Sequence, residues 1–292
     1  MHNYRNARNA EAVAAFWGKS LADKDWYAIK QDGNTAEILI YDVIGWPFID
    51  ANQFVRDLNA ITADNITVGI NSPGGDVFDG TAIYNALKNH PANITTRIDG
   101  IAASMASIIA LTGDTIQIAD NAYYMMHNAW GFTMGDYRDH QKAADLLDRI
   151  TETLASTYVE RTGKSMKNVR AMLDAETWLI GQELVDAGLA DELIPNSSAS
   201  ANFNLEMYNN VPEDIRAHGD GEPVHPTAPK SIREVERALR AMGYSRTESC
   251  KFAGLITSAQ RDSGADSQGD LDTESDLLKA AQNLCTQIQQ AL

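Results

Sequence analysis

The sequence predicts an α/β domain, a mostly parallel sheet covered by helices, with a separate small helical C-terminal segment. Three observations carry that prediction. Short β-rich apolar runs alternate with helical periods from about residue 36 to residue 194, the rhythm of strand–helix–strand units. The chain has 292 residues, 44% hydrophobic and 22% charged, enough for one large core plus an appendage. Past residue 195 the composition shifts to Pro, Asn, Ser, Gly and Asp, which cannot bury enough surface to order itself. The expected division is therefore an N-terminal arm over 1–24, a domain over 25–195, a disordered linker over 196–230 and a helical segment over 231–292.

Residues 1–24 are polar with scattered aromatics and show no period. Ala36 to Ile44 reads as the first strand, ending at Gly45, and Asp50 N-caps a helical pattern through Phe54, Val55 and Leu58. Ile66 to Ile70 fits a short buried strand, followed by the loop Asn71-Ser72-Pro73-Gly74-Gly75 and a helix carrying Ile83 and Leu87. Ile94 to Asp99 gives another strand and Ser104 to Leu111 a small-residue helix; Thr115 to Ile118 and Tyr123 to Met126 are two further strands. From Asp136 to Arg161 the pattern is helical for an unusually long stretch, with Leu147, Ile150, Leu154 and Tyr158 at three- and four-residue steps. A shorter helix through Val169 and Met172, a strand at Thr177 to Ile180, a helix over Glu183 to Ala187 capped by Gly188, and a strand near Leu193-Ile194 close the domain. Beyond the linker, Ser231 with Glu234 and Ser245 with Glu248 form two capping boxes, and Thr273 begins a terminal amphipathic helix.

The net charge of −16 repels phosphate backbones and anionic membranes, so nucleic acid is a poor match. No run of 18 apolar residues and no basic start followed by an apolar stretch occurs, which leads to the expectation of a soluble protein of the cytoplasm without a membrane partner. Cys250 and Cys285 lack the spacing of a zinc site. Thr162-Gly163-Lys164-Ser165 imitates the end of a phosphate loop, but the earlier glycine it requires falls at Tyr158, inside a predicted helix. The paired capping boxes suit a small packing or protein-interaction module better than a DNA reader, because Glu234, Glu236 and Glu248 offset Arg233, Arg237, Arg240, Arg246 and Lys251.

Three features bear on chemistry. Ser72-Pro73-Gly74-Gly75, between a strand and a helix, offers free backbone N–H groups where glycine lets a ligand come close, and equally suits a plain turn. Ser104, within Ala102-Ala103-Ser104-Met105-Ala106, opens a helix after a strand, where the positive dipole end favours developing negative charge; a simple N-cap is the bland alternative. His127 closes the strand Tyr123 to Met126 and so falls at the rim of the sheet. Together they are the parts that acyl transfer needs: an oxyanion cradle, a hydroxyl and a base.

In order and spacing, Asn71 to Gly75, then Gly100-Ile101-Ala102-Ala103-Ser104-Met105-Ala106, then Met125-Met126-His127 resemble the Clp protease proteolytic subunit family, and the likeness runs from about Ile38 to Ile194. Thr162-Gly163-Lys164 at the foot of the long helix and Gly181 to Asp191 near the end share it. The resemblance implies a Clp/crotonase-like spiral of ββα units with a long projecting handle helix. It implies a serine endopeptidase in which Ser104 is the nucleophile, His127 the general base, and the N–H groups of Gly75 and Met105 the oxyanion hole. The position matching the third catalytic residue, two before Trp178, is Glu176, with Asp174 as the alternative. The handle, which starts at Asp136, implies a homo-oligomeric ring, and Asn128 to Gly135 suit a substrate groove or a plain loop. No metal or organic cofactor is expected. The arm shows no counterpart of the family's unfoldase-docking hairpin, leaving an ATPase partner open. The helical tail, with Ser231 to Leu239, looks like the head maturation proteases of tailed phages and prophages, whose substrates are scaffold and capsid proteins. A general Clp-type subunit working with an ATPase, a Ser–Lys peptidase of the signal-peptide-peptidase type and a non-catalytic assembly protein are the other readings.

Overall fold

A strand with apolar side chains on both faces needs cover on both sides, and the central strands here have it. The computed structural model describes residues 25–216 apart from Ile49, Met134, residues 200–202 and Glu206, together with Ala10, Val13, Ala14, Trp17, Lys19, Ser20 and Ala22. All of these except Ala10 lie in one compact unit, Val13–Glu222. Cys250, Cys285, both capping boxes and the terminal helix lie outside the described residues.

Eight strands form one sheet among the described residues: β1 (Tyr27–Asp32), β2 (Thr35–Ile40), β3 (Asn65–Ser72), β4 (Asn93–Ala103), β5 (Thr115–Ala119), β6 (Tyr123–Met126), β7 (Thr177–Ile180) and β8 (Glu192–Ile194). The path runs β1-β2-β3-β4-β5-β8, with β6 paired to β4 and to β7. Pairing is parallel except for the β1–β2 hairpin and the β6–β7 pair. Strand β4 serves two neighbours in turn. Thr95 to Ile98 pair with β5, and Ile101 to Ala103 pair with β6. This change of partner along one strand begins the spiral that the family resemblance implied.

Helices α1 (Ala51–Asn59), α2 (Val77–Lys88), α3 (Met105–Ala110), α4 (Tyr137–Thr162), α5 (Met166–Asp174) and α6 (Gln182–Asp186) follow their strands as expected. Ile38, Ile40, Val68, Ile70, Ile98, Ile116 and Ile118 are fully buried between sheet and helices, each such side chain contributing about 1.5–3 kcal/mol. The long helix α4 has the Asp136 N-cap, reinforced by a capping box with Asp139, and ends at Gly163, whose φ of 67° only glycine adopts without strain. No described helix is long and apolar enough to cross a membrane.

The structure departs from expectation in three places. Strand β1 was not foreseen; its side chains are mostly exposed, so the edge of the sheet carries little apolar signal. The arm over 1–24 is partly anchored, since Ala14 and Trp17 are buried and Lys19 Nζ reaches Asp42 at 2.7 Å. The linker expected over 196–230 is corrected in its first half. Leu205, Tyr208 and Val211 are buried against Ile101, Ala103, Tyr123 and Met125, with Phe203, Met207 and Ile215 partly buried beside them, and Glu213–Arg216 form a short helix, α7. Mean composition concealed these six apolar side chains, which find a waiting apolar face.

The cap of α1 gives a direct check on this reading. The Asp50 side chain accepts hydrogen bonds from the amides of Asn52 and Gln53, so Asp50→Ala is expected to lower stability by about 1 kcal/mol, read as a lower denaturant midpoint at unchanged slope.

Candidate active site

Three parallel strands finish at one edge of the sheet, and each hands its next residues to the site. Strand β3 pairs Ser72 with Ala102 of β4, and β4 pairs Ala103 with Met125 of β6. One or two residues further on come Pro73-Gly74-Gly75, Ser104 and His127. The carboxyl ends of parallel strands are where α/β sheets place their ligand sites.

Ser104 sits between β4 and α3 with φ 52° and ψ −122°, a conformation that a side chain enters only at a cost of about 1–3 kcal/mol. The surroundings hold it there. Its N–H donates to Met125 O at 3.0 Å, and its carbonyl accepts from Ser107 N at 3.0 Å and Ser107 Oγ at 2.5 Å. Ser107 Oγ in turn lies 2.6 Å from the hydroxyl of buried Tyr158 on α4, and Tyr124 donates its hydroxyl to Ser107 O at 2.9 Å. The sharp turn is thus tied to the long helix by a buried polar chain. The sequence signalled Tyr158 only as an apolar stripe position and gave no sign of Ser107.

The Ser104 hydroxyl is not spent on capping its own helix; it meets His127 Nε2 at 2.7 Å. That is the geometry a hydroxyl needs to lose its proton to an imidazole. Gly74 and Gly75 come up against the same turn. A Cβ on Gly74 would stand 2.8 Å from Ser104 Cβ and 3.2 Å from Met105 N, so only glycine lets the loop approach this closely. Gly75, with φ 153°, forms a parallel bridge with Ile44 in which Gly74 O and Asp76 N make the two bonds, leaving the Gly75 N–H on the opposite side. Met105 is the first residue of α3, where the backbone N–H has no acceptor within the helix. Its side chain is pinned against Gly80 of α2, where a Cβ would fall 2.2 Å from Met105 Cγ.

The third position behaves differently. The antiparallel register pairs Met126 with Thr177, so the next step outward presents His127 and Glu176 to each other. Glu176 is buried at 7% exposure, on a backbone with φ 48°. Its carboxylate accepts from Asn210 N at 2.6 Å, Asn209 Nδ2 at 3.3 Å and Trp178 Nε1 at 3.4 Å; among the described residues none of its hydrogen bonds goes to His127. Asp174 is exposed on α5 and accepts from Asn128 Nδ2 at 2.8 Å, also away from the imidazole. The Asn209 and Asn210 contacts were not foreseen, because they come from the segment read as linker. Burial pushes the His127 imidazole down to about 4, opposed by the nearby Glu176 charge, which raises it. Trp130 and Phe132, in the loop after His127, face outward and meet edge to face at 5.5 Å, with Phe132 83% exposed.

The chain is similar to known proteins over the region that carries these residues. The family model described as Clp protease matches residues 34–197. The ATP-dependent Clp protease proteolytic subunits of Streptococcus pneumoniae strains Hungary19A-6 and CGSP14 are each 33% identical over 155 residues, covering 52% of this chain and 75% of theirs. Among solved structures, a ClpP1 mutant from Listeria monocytogenes aligns at 27% identity with a TM-score of 0.49, covering 55% of this chain and 91% of that one.

The depressed imidazole is measurable. NMR titration of the resting protein is expected to show His127 gaining its proton at about 4 rather than near the ordinary 6.5. The unfolded chain then binds that proton first, so stability falls as pH drops from about 6.5 towards 4 and the contribution is fully lost below it; titration near 6.5 would contradict the burial.

Proposed function

The chain belongs to the Clp protease family, and from that premise we propose that it is a serine endopeptidase acting on protein substrates, with Ser104 as nucleophile and His127 as general base. The observation that carries this reading is the 2.7 Å contact between Ser104 Oγ and His127 Nε2 at the ends of adjacent parallel strands. In the proposed reaction, Ser104 Oγ attacks a peptide carbonyl as its proton passes to His127 Nε2. The Gly75 and Met105 amide N–H groups donate hydrogen bonds to the negative charge that develops on the carbonyl oxygen. The imidazolium then gives its proton to the leaving amine, and water repeats the sequence to release the acyl group. Glu176 is the proposed third member, stabilising the imidazolium by its charge; in this structure its hydrogen bonds go to Asn209, Asn210 and Trp178.

A Ser–Lys mechanism draws no support from the geometry, because Ser104 Oγ has a histidine partner and Lys164 Nζ donates to Ala187 O at 2.6 Å. We propose a ring-shaped homo-oligomer in the cytoplasm. The helix α4 supports it, with Tyr137 80% and Leu146 42% exposed in the single chain. The finer substrate class, scaffold and capsid proteins of a tailed phage, rests on the sequence of the segment after the catalytic domain. The relatives named above are ATP-dependent; the sequence of the arm gives no motif for docking such a partner here.

Hydrolysis of an unfolded protein substrate tests the assignment. Ser104→Ala and His127→Ala are each expected to lower kcat by at least ~10⁴-fold while leaving the fold intact. Retention of wild-type hydrolysis by either variant overturns the assignment.

A further inference from the structure

The chain's own later residues cover the site just described. Residues shared with the family end at 197, yet residues 203–216 return to the strand ends. Leu205, Tyr208 and Val211 bury themselves on the face made by Ile101, Ala103, Tyr123 and Met125, and Asp214 accepts the Tyr123 hydroxyl. Tyr208 goes furthest in. It is 4% exposed, donates its hydroxyl to Pro73 O at 2.5 Å and interacts with the Ser104 side chain. Its ring meets His127 edge to face at 5.3 Å and Trp178 at 6.0 Å. The next two residues hold the Glu176 carboxylate through Asn209 Nδ2 and Asn210 N.

Each contact is one that a catalysing site would need to give up. A group hydrogen-bonded to the carbonyl that precedes Gly74 and Gly75, and touching Ser104, stands where an incoming peptide must pass. The Glu176 carboxylate takes its hydrogen bonds from Asn209, Asn210 and Trp178, and among the described residues none from His127. Burial of His127, whose ring meets Tyr208 edge to face, disfavours the imidazolium that must form during proton transfer. The tether also suits release: residues 196–202 are Asn, Ser, Ser, Ala, Ser, Ala and Asn, without a large apolar side chain, and a pair of hydrogen bonds between Asn121 and Ser197 fixes its near end.

We propose that residues 203–216 are an internal ligand of the Ser104–His127 site, with Tyr208 filling a subsite for an aromatic side chain between Pro73, Ser104, His127 and Trp178. The inference rests on the peptidase reading and deepens it. Substrates carrying an exposed tyrosine or phenylalanine in an extended segment compete for that subsite, and the enzyme works when the internal segment leaves.

The test measures the second-order rate constant for labelling of Ser104 by a fluorophosphonate in full-length wild type, Tyr208→Ala and Leu205→Asp, the last acting on the apolar face rather than in the slot. Both variants are expected to label on the order of tenfold faster, as the accessible fraction rises. A synthetic peptide with the sequence of residues 203–216 is expected to slow the Tyr208→Ala protein again, and the same peptide with alanine at the Tyr208 position is not. Labelling at or below the wild-type rate in both variants, or equal inhibition by both peptides, overturns the internal-ligand inference and leaves the peptidase reading standing. A Ser104 inert in every protein overturns the peptidase reading and this inference with it.

Discussion

The parallel pairing of β3, β4 and β6 is the constraint on which the site depends. Because these strands run the same way and in fixed register, their ends arrive together, and a glycine loop, a serine turn and a histidine follow within two residues. A slip of one residue in β4 would send Ser104 to the other face of the sheet. The register is secured by apolar burial on both faces and by a side chain that enters the ladder: Asn71 Oδ1 accepts from Ile101 N at 3.2 Å where β3 and β4 change register. Strain at Ser104 is sustained because its hydrogen bond to β6, those it accepts from Ser107 and, through Ser107, a contact with Tyr158 fix the turn at several points.

Electrostatics at the site reflect cover more than charge. The protein is strongly acidic overall, yet burial is the larger influence on His127, with the Glu176 charge opposing it. Glu176 itself is a buried carboxylate satisfied by an amide N–H, a side-chain amide and an indole. A buried charge without such partners would be costly, so departure of residues 209 and 210 leaves Glu176 in need of a new donor.

Much of this was legible in the sequence because the controlling interactions are local. Strands buried on both faces read as continuous apolar runs, Asp50 and Asp136 announce helix starts, and the Ser104 turn needs small neighbours that the chain supplies in order. The hairpin strand β1 was not legible, since Ala28, Lys30, Gln31 and Asp32 face solvent and carry no core pattern. Nor was the direction of the Glu176 carboxylate, which is set by residues more than thirty positions away. The covering segment did leave a signal. Phe203, Leu205 and Met207 alternate with polar residues, and Tyr208, Val211 and Ile215 follow at three- and four-residue steps, a pattern diluted by the surrounding Asn, Ser and Pro.

The central claim is spatial: one hydroxyl, one imidazole and two backbone amides surround a single point. A crystal structure of the protein reacted with a peptide boronate tests it directly. The account predicts boron bonded to Ser104 Oγ, one boronate oxygen within about 3 Å of both the Gly75 and Met105 amides, and His127 beside the other. A boronate bound elsewhere, or on Ser104 with its oxygens turned away from both amides, would contradict it.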